Sequence, residues 1–122
     1  MFLQLAHNRL EIYSVIRSFT KECYLLSNKL PAEERFNMIQ QLRRAALSVH
    51  LNNAEGCSRK SEAERKRYFE ISRGSIIEID ALLDIAEDLK YISKPDITIL
   101  GELLIQVFKM LSGLIKTNSK LV

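Results

Sequence analysis

Tryptophan is absent from the chain, cysteine and proline occur twice each, and glycine occurs four times in 122 residues. Two cysteines permit at most one internal disulfide, which excludes a cysteine-rich scaffold and a four-thiolate zinc site. So few prolines and glycines exclude a collagen-like chain, and 47% hydrophobic residues make the composition too apolar for a disordered one. No continuous run approaches the roughly 20 apolar residues of a membrane span, so no membrane partner is expected. Gln4, His7, Asn8, Arg9 and Glu11 interrupt the N-terminus too early for a secretory leader. These absences point to a soluble cytoplasmic protein. Cys23, on a helical apolar stripe, reads as a buried free thiol, and Cys57, in a polar turn, as an exposed one.

What the chain does carry is helical periodicity. Breaks at Pro31, at residues 56–60 and at residues 93–96 leave four segments, expected as helices over 4–28, 32–55, 62–91 and 97–118. The first repeats Leu5, Ile12, Val15, Ile16, Phe19, Cys23 and Leu26. In the second, Pro31 and the acidic pair Glu33 and Glu34 suit a helix start, and Gly56 suits a left-handed cap. Ser61 and Glu64 fit a capping box ahead of Phe69, Ser72, Ile76, Ile79, Leu83 and Ala86. Asp96 is the expected N-cap of the fourth helix, with Leu100, Leu104, Val107, Leu111 and Leu114 on its stripe. Short connections make successive helices antiparallel, so the fold class is all-α, an up-down-up-down four-helix bundle forming one domain over residues 1–122.

The second helix has two apolar stripes. Ile39, Leu42, Ala46 and Val49 share one side, while Phe36, Leu47, Leu51 and Ala54 gather roughly 120° away at 100° per residue. The second set cannot face the same core and is read as an oligomer interface, to which a wider fourth-helix face (Ile105, Phe108, Ile115) adds. A tilted helix or terminal residues covering the stripe is the alternative. Between the stripes runs a polar line, Arg44, Ser48, Asn52 and Glu55, which is either a solvated ridge or a partly buried network. Gly74, opposite Ala45 and Ala46, reads as a close helix approach or a local kink.

Taken in combination, Leu30-Pro31-x-x-Glu34, Gln41-Leu42-Arg43-Arg44-Ala45-Ala46-x-Ser48-Val49, Asn52-x-Ala54-Glu55-Gly56, Phe69 and Gly74-Ser75-x-x-Glu78 resemble a known family. It is that of the four-helix-bundle proteins encoded in intervening sequences of bacterial large-subunit ribosomal RNA genes. The resemblance spans nearly the whole chain and is strongest from Gln41 to Ile92. It implies a bundle assembling into a ring, commonly a pentamer, and singles out Arg43, Arg44, Ser48, Asn52, Glu55, Gly56, Gly74, Ser75 and Glu78. It supplies no established activity. More distantly, the fold resembles the pentameric accessory proteins of diversity-generating retroelements, which engage a reverse transcriptase and nucleic acid through basic surfaces. This chain departs from the family pattern in its first helix, which lacks the usual Trp, and at Asn53, where an aliphatic residue is usual. A buried Asn53 must be hydrogen-bonded, or the helix must turn outward there.

Catalytic patterns are missing. Neither His7 nor His50 follows a Glu by three residues, as a di-metal bundle requires, and His50 with Cys57 alone makes a poor zinc site. There is no glycine-rich phosphate loop and no Gly-x-Ser-x-Gly. Asp84, Glu87 and Asp88 read as a solvated acidic ridge. The expectation is a protein without enzymatic activity, metal or cofactor. Although the net charge is only +3, residues 43–73 hold eight bases (Arg43, Arg44, Arg59, Lys60, Arg65, Lys66, Arg67, Arg73) against four acids. All the positive excess is therefore central, and these eight are candidate contacts to nucleic acid, RNA favoured. An ordinary charged face, or a surface for an acidic protein partner, is the alternative; Tyr68 is a possible stacking residue but lies close to the core.

Overall fold

The structure is a computed structural model and describes residues 2–6 and 10–117. Four helices carry the fold: α1 (Glu11–Ser27), α2 (Met38–Ser58), α3 (Glu62–Asp88) and α4 (Thr98–Thr117), with single 3₁₀ turns at Ala32–Glu34 and Lys94–Ile97. Among the described residues there is no strand. α1 and α3 each pack on both α2 and α4, so chain order is also spatial order around a square bundle. Tyr13 meets His50 while Arg43 meets Ser27, and Ser48 meets Ser75 while Gln41 meets Glu78, so α2 runs antiparallel to both neighbours.

Each helix buries the stripe its spacing predicts. Ile12, Ile16, Phe19, Cys23 and Leu26 meet Leu42, Ala46 and Val49, then Phe69, Ile76, Ile79, Leu83 and Ala86, then Leu100, Leu104, Val107 and Leu111. Leu5 falls outside this core and is exposed, because α1 starts only at Glu11. Of the residues assigned to helix ends, 7–9 and 118 lie outside the described residues. Pro31 starts not α2 but the 3₁₀ turn, and the backbone of Asn37 then breaks direction before α2 begins. At the other end of the bundle, Ser93 rather than Asp96 takes the capping position. The Asp96 carboxylate accepts from Ser93 N–H and Oγ and from Lys29 Nζ, bonds that hold it below the usual carboxylate range. α3 ends three residues earlier than expected, at Asp88, just before Lys90, the one non-glycine residue with positive φ among the described residues; Lys90 N–H and Tyr91 N–H close back onto the carbonyls of Glu87 and Ala86.

The region Lys94–Thr117 holds an 18-residue window of mean hydropathy 1.6, long and apolar enough by length and composition to cross a membrane. This corrects the expectation drawn from unbroken runs, which isolated Glu102 and Lys109 interrupt without lowering the average much. In the bundle one side of this helix supplies core residues.

Two glycines change roles. Gly56 is no left-handed cap, since α2 continues through it to Ser58 with negative φ. It lies beneath α3, where a Cβ would stand 2.7 Å from Phe69 Cε1 and 3.2 Å from Tyr68 Cβ. Gly74, the expected close-approach residue, faces solvent with nothing within 4 Å of its Cβ position, because α3 turns Ser72 and Ser75 to α2 instead. Gly56→Ala should therefore cost about 1–3 kcal/mol by overpacking. Gly74→Ala should raise stability by up to about 1 kcal/mol through helix propensity. Urea unfolding followed by circular dichroism reads both, and shifts in the same direction would refute the assignment.

Candidate nucleic-acid interface and the polar seam

α2 and α3 approach closely enough for small polar side chains to bond across them. Buried Ser72 donates from Oγ to the Val49 carbonyl at 2.7 Å, an acceptor already used within α2. One turn outward, Ser75 Oγ and Ser48 Oγ lie 2.8 Å apart, and Asn52 Nδ2 donates to the Ser48 carbonyl at 2.9 Å and to its Oγ at 3.0 Å. Farther along, Gln41 Nε2 donates to Glu78 Oε2. Gln41, Arg44, Ala45, Ser48, Ser75 and Glu78 line a shallow groove of about 200 Å3. The polar line of α2 thus has both characters. Ser48 and Asn52 join a half-buried network, while Arg44 stays exposed and Glu55 bonds Arg59 instead. Of the polar residues the family pattern singles out, Ser48, Asn52, Ser75 and Glu78 converge on this seam, and Glu55, Gly56 and Gly74 do not.

The eight candidate bases do not form one surface. Arg65 is 2% exposed and sends Nη1 to the carbonyls of Lys60 and Arg59, at 2.5 and 3.2 Å. It closes the α2–α3 turn from inside and cannot reach a phosphate. Its i+4 and i+7 neighbours, Phe69 and Ser72, are buried and place it on the buried side of α3, which a count of charges does not register. Arg43 is half-buried, bonded to Ser27 Oγ at 2.9 Å and Asn28 Oδ1 at 3.1 Å, and lies over the Tyr24 ring; it ties α2 to the end of α1. Arg59 holds Glu55 at 2.7 Å and lies over Tyr68, so Tyr68 is half-buried against an arginine and unavailable as an open stacking platform. Arg73 bonds Ser112 on α4 and lies over Phe108. Only Arg44, Lys60, Lys66 and Arg67 are exposed and make no ion pair among the described residues. Arg44 is also roughly 20 Å along α2 from the turn, at about 1.5 Å rise per residue.

Apolar side chains remain outside. Leu47 and Leu51 are exposed and Ala54 is half-buried, so the second stripe of α2 does point away from the core; Phe36, also exposed, lies in the turn before α2 and does not continue that stripe. A second apolar surface lies between α3 and α4, where Ile77, Ile105 and Phe108 line a groove of about 300 Å3 with Asp80 and Lys109 at its edges. Ile77 was missed in the sequence because it flanks the core stripe of α3 rather than repeating with it. The first surface belongs to α2 and the second to α3 and α4, so the two are different surfaces of the bundle.

The thiols are shielded. Burial, helped by Glu22, pushes Cys23 up to about 12, and burial pushes Cys57 up to about 11. Cys57 is therefore not the exposed turn residue expected; it sits half-buried on the last turn of α2. Asn53 contradicts both expectations for it. α2 does not turn outward, Asn53 is 0% exposed, and neither its Oδ1 nor its Nδ2 has a partner among the described residues.

These features define an all-α bundle with a polar α2–α3 seam, divided basic residues and surplus apolar surface. Residues 8–113 match the profile of the 23S rRNA-intervening sequence protein family, and the chain belongs to that family. No curated protein sequence matches it.

Two substitutions test the buried polar groups. Arg65→Ala should cost about 3 kcal/mol, because it opens a cavity and leaves two turn carbonyls without their donor. Lys66→Ala, beside it in sequence, should stay within about 0.5 kcal/mol; equal effects in denaturant titrations would contradict the clamp. Asn53→Leu should stabilise by about 1–3 kcal/mol, since it removes an unpaired buried amide. A loss of stability in the same assay would show that the amide is satisfied.

Proposed function

We propose that the protein is a non-enzymatic, self-associating bundle that binds RNA in the reducing cytoplasm, without metal or cofactor. The observation that carries the RNA reading is that four of the eight central bases, Arg44, Lys60, Lys66 and Arg67, are exposed and make no ion pair among the described residues, in a member of an rRNA intervening-sequence family. They are too few and too dispersed for tight binding by one chain, and repetition in an oligomer supplies the rest. Assembly is supported by the two apolar surfaces. Because they are different surfaces, a contact between them is head-to-tail, which closes into a ring when the rotation permits. A pentamer is the ring size that the family resemblance implies.

The exposed apolar surfaces equally suit a different protein, which favours a second reading as a scaffold that touches no nucleic acid. Binding of labelled single-stranded RNA across a salt series separates the two. The expected slope of log K against log salt is about −3 for each fully engaged subunit, from four contacts at roughly 0.7 each. Reversing Lys60, Lys66 and Arg67 to Glu should abolish binding; unchanged binding would refute the RNA reading. Light scattering should find the wild type above monomer mass, with Leu47→Glu and Leu51→Glu reducing it toward one chain. A monodisperse wild-type monomer at micromolar concentration would refute assembly.

A further inference from the structure

We infer that the groove between α2 and α3 is a ribonucleotide subsite, in which Arg44 and Ser48 hold a backbone phosphate and Glu78 receives the adjacent 2′-hydroxyl. The inference rests on the RNA reading above and names the place and the chemical unit of contact.

The argument begins with what the groove already satisfies. Asn52 Nδ2 is spent on the carbonyl and Oγ of Ser48, and the Ser48 and Ser75 hydroxyls share one hydrogen bond. Two hydroxyls with one bond between them leave one proton uncommitted by that pair. Arg44, one helical turn from Ser48 on the same face, makes no hydrogen bond or ion pair among the described residues. Its planar fork matches the oxygens of a phosphate. On the facing helix, Glu78 accepts from Gln41 through Oε2 only, which fixes the carboxylate and leaves Oε1 open as an acceptor.

The groove therefore offers donors and a positive charge along α2, and a held carboxylate on α3. A ligand that satisfies both sides carries an anion beside a hydrogen-bond donor, which an RNA backbone supplies as its phosphate and 2′-hydroxyl. The DNA backbone, which lacks the 2′-hydroxyl, supplies only the first. The volume of about 200 Å3 falls below the roughly 300–1,000 Å3 of small-molecule pockets, which suits one unit of a longer strand lying across the seam. The other grooves are lined mainly by apolar side chains or lie away from any carboxylate and guanidinium on facing helices.

The test is fluorescence anisotropy with the full chain, using a labelled single-stranded RNA and a DNA of matching sequence, with uridine replaced by thymidine. Wild type should favour RNA by about tenfold, the scale of one hydrogen bond to a charged group. Glu78→Ala should bring the two affinities together by weakening RNA alone. Arg44→Ala should weaken both equally and reduce the magnitude of the salt slope by about one. Glu78 and Arg44 are both exposed, and circular dichroism confirms that each variant keeps the wild-type fold. Equal wild-type affinities, or a preference that survives Glu78→Ala, would overturn the subsite while leaving the RNA reading intact. If the wild type binds neither strand, the RNA reading falls and the subsite with it. If both variants leave binding unchanged but dissociate the oligomer in light scattering, the groove is a contact between copies and the inference is wrong.

Discussion

The close approach of α2 and α3 is the constraint on which the rest of the structure depends. Gly56 lets the Phe69 ring lie where any β-carbon would collide, and this draws the helix axes together near the turn. Farther from the turn, the short side chains of Ala45, Ser48, Ser72 and Ser75 keep them close. At that spacing a serine hydroxyl reaches a backbone carbonyl on the other helix, and two serines reach each other. The polar seam is a consequence of this approach. Longer side chains at these positions would separate the helices and leave the Val49 carbonyl and the Ser48 hydroxyl facing only their own helix.

The same geometry explains where the charge goes. A reversal as short as the one between Ser58 and Glu62 brings the carbonyls of Arg59 and Lys60 inside the curve, where solvent cannot satisfy both of them. Arg65 supplies the donors from α3, and its cost of burial is offset by bonds to those carbonyls. Arg59 stabilises the outer side of the turn through Glu55 and the Tyr68 ring. Two bases near the turn are thus structural, and Arg43 and Arg73 fasten α2 to α1 and α3 to α4 in the same manner. Of the eight bases, the charge that remains free is on Arg44 and, near the turn, on Lys60, Lys66 and Arg67, the last three interspersed with Glu62, Glu64 and Glu70.

Legibility in the sequence followed periodicity closely and failed where a single contact decided the outcome. The four helices and nearly every buried aliphatic residue obey the 3.6-residue repeat, and the outward stripe of Leu47 and Leu51 was readable for the same reason. Gly56 and Gly74 were not, because one glycine at a helix end and one in a helix interior look alike until the facing helix is placed. Arg65 carried a detectable signal, since it shares the phase of Phe69, Ser72 and Ile76, but a tally of charges weighs all arginines equally. Asn53 occupies the core phase that its spacing from Leu42 and Val49 requires. The rule that buried amides find partners misled there, because backbone position is set by the many apolar contacts around it and one amide cannot shift the helix.

Separating field from contact resolves the apparent conflict between a central net charge of +4 and only four open cations. A buried or paired arginine still adds to the potential felt by an approaching polyanion at several ångströms, within the roughly 8–10 Å reach of a charge at moderate salt. It adds nothing at the moment of contact, because its hydrogen bonds are already made to protein carbonyls. On the RNA reading proposed above, Arg65 would help to attract a strand that it cannot grip. Encounter and affinity would then be governed by different residues: the whole central segment would set the rate of approach, whereas Arg44, Lys60, Lys66 and Arg67 would set the lifetime of the complex. On that reading, a chain built in this way would gain more from assembly than from an added charge. Each further copy brings a complete set of open cations to the same strand, while a new arginine on the crowded turn faces the same competition from Glu55, Glu62 and Glu64 that already occupies its neighbours.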